Sequence, residues 1–63
     1  MEKDFYYNLT IEYNDFLEWN GEYDSRQNFE WFLLEHDKKD IAWNKKIYEK
    51  TYKIIKENLS KMY

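Results

Sequence analysis

Cysteine and proline are absent from the 63 residues, and glycine occurs once. Without cysteine there is no disulfide and no thiolate metal ligand. One glycine excludes a glycine-rich phosphate loop. Histidine also occurs once, as His36 in Glu35-His36-Asp37. Zinc commonly takes three or four nitrogen or sulfur ligands, so a single imidazole points to no metal site, and the residues assemble no calcium-loop pattern. No cofactor is expected. No apolar run approaches 18 residues, so no membrane helix is expected, and Met1-Glu2-Lys3-Asp4 does not resemble a secretion signal. Those two observations point to a cytoplasmic protein and make the Asn8-Leu9-Thr10 and Asn58-Leu59-Ser60 glycosylation patterns chance matches.

At 8.1 kDa the chain has room for one domain, residues 1–63. A domain of this length buries about 60% of the surface exposed by its unfolded chain, leaving little protein to enclose a cleft. The acid pairs Asp15/Glu18 and Glu22/Asp24 therefore lack the enclosure that separates two carboxyl pKa values, and Ser25 has no reason to meet His36 and Asp37 as a triad. No enzymatic activity is expected.

Aromatic residues are abundant instead: four Phe, three Trp and seven Tyr, 22% of the chain. Aromatics provide large contact area, and Tyr and Trp, which keep a polar tip, are enriched at interfaces. Lys, Asn, Ile, Tyr and Phe make up 31 residues while Ala and Arg each occur once. Their codons indicate an AT-rich genome, such as a low-GC bacterium or one of its phages.

Charge is segregated by sign. The overall −3 combines a Glu12–Asp37 stretch of net −7 with a Lys38–Tyr63 stretch of net +5. Such asymmetry marks a binding surface on one half, or two internal faces that soften each other's field.

Three segments carry helical signals. Asp40 is a candidate cap for a single amphipathic helix from Ile41 to Met62, with Ile41, Ile47, Tyr48, Tyr52, Ile54, Ile55, Leu59 and Met62 on one face. Lysines 45, 46, 50, 53 and 56 fall opposite, and Glu49–Lys53 and Glu57–Lys61 have favourable i,i+4 spacing. Ser25 is a good N-cap for a second helix from Arg26 to His36. Phe29, Phe32, Leu33 and His36 share one side of it, while Trp31 and Leu34 point away and become interface candidates unless the N-terminal segment covers them. In that segment Phe5, Tyr7, Leu9, Ile11 and Tyr13 alternate like a strand, but Phe5, Tyr6, Leu9, Tyr13, Phe16, Leu17 and Trp19 also cluster on a helix. The helical reading takes Asp4 as cap and Asn20-Gly21 as a left-handed stop. The preferred architecture is all-α, a small three-helix domain; the alternative is α+β, an N-terminal two-stranded hairpin turning at Asn20-Gly21 and packed on two helices.

These features point to a non-enzymatic protein that binds a partner protein. The expected contact surface has an aromatic centre of Trp19, Tyr23 and Trp31, with Leu34 beside it, ringed by Glu12, Asp15, Glu18, Glu22, Asp24 and Glu30. Carboxylates spread in this way imitate the phosphate path of a duplex and suit the basic groove of a host nucleic-acid enzyme or defence complex. The chain resembles, in size and composition alone, small acidic phage-encoded inhibitors of host enzymes and defence systems such as CRISPR. A nucleic-acid-binding regulator using Lys45, Lys46, Lys50 and Lys53 is the alternative, although net negative charge and a single Arg count against it. Self-association through Trp31 and Leu34 is a third reading. In each case the opposing expectation is a solvated charged face that only keeps the chain soluble.

Overall fold

The structure, a computed structural model, describes residues 2–62, with side chains from Asp4. It consists of α1 (Glu2–Asn20), α2 (Arg26–Glu35), α3 (Lys39–Ala42) and α4 (Lys45–Met62). No strand occurs among the described residues, so the hairpin alternative is not supported. The strand-like alternation before Tyr13 loses to the helical pattern because Leu9, Tyr13 and Leu17, one turn apart, are the positions that reach the core.

α1 begins at Glu2, ahead of the expected Asp4 cap. It ends as expected at Gly21, whose φ is 64°. The Gly21 amide donates to the Glu18 carbonyl at 3.2 Å, and the Glu22 amide to that of Leu17 at 2.9 Å. This is the Schellman closure, which satisfies two carbonyls the helix would otherwise leave unpaired. A Cβ on Gly21 would meet no atom within 4 Å, so substitution there acts through the backbone alone.

α2 closes in the same way on a residue that is not glycine. Asp37 has φ 57°, the Asp37 amide reaches the Leu34 carbonyl at 3.3 Å, and the Lys38 amide reaches that of Leu33 at 2.7 Å. A left-handed residue with a Cβ is strained by roughly 1 kcal/mol relative to glycine. Asp37→Gly should therefore stabilise the fold by about 0.5–1 kcal/mol, and Gly21→Ala should destabilise it by about 1 kcal/mol. Thermal melts of both variants check the pair, which should move in opposite directions.

The long C-terminal helix expected from Ile41 onward is interrupted, giving four helices among the described residues. α3 is a single turn ending at Trp43, and Asn44 starts α4 by accepting the Ile47 amide on its side-chain oxygen at 3.2 Å. Asn competes well for backbone amides at a helix start, which explains the break. Asp40, the expected cap, sits within the first turn of α3. The Ser25 cap of α2 is present, with its hydroxyl oxygen accepting the Asn28 amide at 3.1 Å, and His36 occupies the C-cap.

The core gathers Leu9, Tyr13 and Leu17 of α1, Phe29, Phe32 and Leu33 of α2, Ile41 of α3, and Tyr52, Ile55 and Leu59 of α4. Of the apolar face expected on the last helix, Tyr52, Ile55 and Leu59 are buried, but Ile47 and Met62 are exposed. Phe29 of α2 touches three rings from two other helices: Tyr13 of α1 at 5.1 Å, and Tyr48 and Tyr52 of α4 at 5.5 and 4.9 Å between centroids. Buried Thr10 donates to the Tyr6 carbonyl at 2.7 Å and accepts from Asn58 at 3.1 Å, tying α1 to α4.

Candidate partner-binding surface

Glu12, Asp15, Phe16 and Trp19 are spaced three, four and seven residues along α1, so they form one stripe on its surface. With Glu18, Asn20 and His36 they line an open cleft of about 630 Å³. Phe16 is its floor. Its ring meets Trp31 edge-on at 4.8 Å and lies 5.9 Å from the His36 ring, while Phe32 beneath stacks obliquely on His36 at 4.6 Å. The cleft is thus an apolar trough between α1 and the end of α2, with three carboxylates on its α1 side.

Trp19 is 91% exposed. Trp31 is partly covered by Phe16, leaving 39% exposed, and its indole N–H donates to Glu35 at 3.2 Å. The N-terminal helix therefore covers Trp31 only in part. Leu34, one turn further along α2, keeps 40% exposure. Tyr23 is 89% exposed, on the five-residue connection between α1 and α2. It shares a second groove with Glu22, Asp24, Glu18, Lys56 and Leu59, so the expected ring of acids is split between two sides of α1.

Asp24 has a structural task that its sequence context hid. One carboxylate oxygen accepts the Tyr13 hydroxyl at 2.7 Å and the Tyr52 hydroxyl at 3.1 Å, joining the connection to α1 and α4. Burial, reinforced by the Asp24 hydrogen bond and charge, holds the Tyr13 phenol far above the usual tyrosine range. Burial and the Asp24 charge push the Tyr52 phenol up to about 12.

Glu30 is separated from the cleft. It faces a third groove with Arg26, Ala42, Trp43, Lys45, Tyr48 and Glu49, on a different face of α2 from Trp31. Trp43 was not singled out by the sequence pattern, yet it is 72% exposed, with the Lys39 ammonium 5.7 Å from its ring centre. On a helical wheel Trp43 already lies two positions, about 200°, away from buried Ile41, and that was the available signal. Phe16 and His36 were likewise missed as parts of the site, although the i,i+3,i+4 stripe around Phe16 is visible in the sequence.

The lysines of α4 are exposed as expected. Lys50, Lys53 and Lys56 line a groove with Arg26, Tyr52, Glu49 and Glu57. Its positive field is reduced because Glu49, instead of pairing with Lys53 along its own helix, takes Arg26 in a two-pronged bond of 2.6 and 3.0 Å. That bond holds the Glu49 carboxyl below its usual range. The Lys56 ammonium lies 5.3 Å from the Tyr52 ring centre. Lys45 belongs to the Trp43 groove, and Lys46 lines none of these.

Among the described residues, no three His, Asp or Glu side chains converge as metal ligands would, and no helix is long and apolar enough to cross a membrane. No protein-family model matches the chain, and neither does any curated protein or solved structure.

Proposed function

We propose that this protein is a non-enzymatic, stoichiometric binder that docks on a basic surface of a partner protein through the α1 cleft. One observation carries the reading: Trp19 stands almost fully in water beside Glu12 and Asp15, above a trough floored by Phe16. A large ring left in solvent on one edge of an apolar trough is poised to lose water against a partner, and hot spots are enriched in such residues. The carboxylates around it supply orientation and encounter rate. A basic nucleic-acid groove of a host enzyme or defence complex has the matching chemistry, which makes inhibition by occupation of that groove the functional consequence. Asp24 is exposed, but one of its carboxylate oxygens is already shared by the Tyr13 and Tyr52 hydroxyls, so it stands outside the proposed contact set as a structural acid. The contact is centred on Glu12, Asp15, Glu18, Trp19 and Trp31, with Glu22, Tyr23 and Leu34 at its margins. The lysine groove of α4 is the weaker candidate, since Glu49 and Glu57 interleave its cations.

The test is capture from the native host on immobilised protein, followed by kinetics on the purified partner. Glu12→Lys/Asp15→Lys should lower the association rate at least tenfold at low salt. Trp19→Ala should raise the dissociation rate by about tenfold or more. A partner held with unchanged kinetics by both variants removes the cleft from the reading, and recovery of nucleic acid bound through Lys50 and Lys53 replaces it with the alternative.

A further inference from the structure

The cleft is not alone in presenting an uncovered indole. Residues 38–46 surround Trp43 with Lys38, Lys39, Lys45 and Lys46 against Asp40 alone. Lys39 already lies over the Trp43 ring, and Lys45 shares its groove. Glu49 in that groove is neutralised by Arg26, which leaves Glu30 as its unpaired acid. At the cleft the signs are reversed, with Glu12, Asp15 and Glu18 beside Trp19. Among the described residues no ammonium or guanidinium lies over the Trp19 ring, whereas Tyr52 and Trp43 both carry a cation.

We infer that the α3–α4 corner of one copy, carrying Trp43 and its lysines, docks into the α1 cleft of a second copy. The two surfaces have opposite charge and each offers a ring face. A lysine of the corner can therefore approach Trp19 while the carboxylates of the cleft meet the remaining ammoniums. Net charge of only −3 opposes such approach weakly. The surfaces lie on different faces of α2, so one contact leaves a free corner on one copy and a free cleft on the other. A contact of this heterologous kind grows beyond a dimer unless rotation closes a ring. It is distinct from self-association through Trp31 and Leu34, and it stands independently of the partner reading. A chain that stays monomeric leaves the docking experiment untouched, and a chain that self-associates adds a competitor for the same cleft.

Sedimentation equilibrium on the full chain at pH 7 tests this. At about 10 mM salt, where the Debye length is near 30 Å, the average mass should rise with concentration past twice the 8.1 kDa monomer. At about 0.5 M salt it should return to the monomer. Two neutralised variants then separate the surfaces: Glu12→Gln/Asp15→Asn/Trp19→Ala lacks a working cleft, and Lys39→Gln/Trp43→Ala/Lys46→Gln lacks a working corner. All six positions are exposed, so both variants should keep the wild-type circular dichroism. Each should be monomeric alone, and an equal mixture should form a dimer that does not grow. A wild type that is monomeric throughout, or that stops at a dimer, overturns the inference. So does a mixture that stays monomeric. A monomeric wild type whose corner retards labelled single-stranded DNA overturns it too and assigns the corner to nucleic acid.

Discussion

Phe29→Ala is expected to leave the protein largely unfolded at 25 °C, with the cooperative thermal transition at 222 nm lost or shifted below room temperature. Phe29 is fully buried and is the ring through which α2 touches both Tyr13 of α1 and Tyr48 and Tyr52 of α4. Truncating a buried Phe to Ala costs about 3–5 kcal/mol. A 63-residue domain at 0.05–0.15 kcal/mol per residue has only about 3–9 kcal/mol in total. The loss is therefore comparable to the whole. Trp19→Ala and Trp43→Ala are the controls: both remove a larger side chain, but from water, and should leave the melting temperature within a few degrees. If Phe29→Ala melts like those controls, the aromatic cluster is not what joins the helices.

Asp24→Ala should destabilise the fold by about 2 kcal/mol, a fall of roughly 10 °C in a domain of this size. It removes the acceptor shared by two phenols that are otherwise buried. Tyr13 retains a longer contact of 3.3 Å to the Ser25 carbonyl, whereas Tyr52 is left without its partner. Asp24→Asn keeps an acceptor oxygen and should cost about half as much. The same site fixes the alkaline limit. Both phenols are held protonated in the folded state, Tyr52 up to about 12 and Tyr13 beyond it. An unfolded tyrosine titrates near 10. Between these values the native state binds more protons than the unfolded state, so stability is intact below pH 10 and falls as pH rises through the folded values. Removing Asp24 takes away one cause of both upward shifts, so unfolding free energies measured in denaturant should fall less steeply above pH 10 in Asp24→Ala than in wild type.

The parts of the fold that were legible in the sequence are those with a local cause. Ser25 before Arg26 and Gly21 after Asn20 are each sufficient to mark a boundary, and the structure uses both. Asp37 and Asn44 were not legible because their types are common in several contexts. An aspartate at positive φ is a tolerated exception, and Asn44 interrupts an apolar pattern that stays in phase across it, from Ile41 to Tyr48 and Tyr52. The candidate site divides the same way. Glu12, Asp15 and Trp19 share a helix face, so their meeting follows from spacing. Asp24 looks in sequence like any other acid of the proposed rim, and only contacts 11 and 28 residues away reveal its structural task. Charge statistics cannot see that distinction, since they count an exposed acid alike whether or not it also accepts a phenol hydroxyl.

The clamp around Asp24 also bears on Tyr23 beside it. The backbone there is held from two sides, by the Tyr13 and Tyr52 hydroxyls on Asp24 and by the Asn28 side-chain amide on the Tyr23 carbonyl at 2.8 Å. The exposed phenol is thus mounted on main chain whose conformational freedom was surrendered during folding. A molecule settling over Tyr23 has only two side-chain torsions left to immobilise on this side, so most of the entropic penalty of complex formation falls on the visitor.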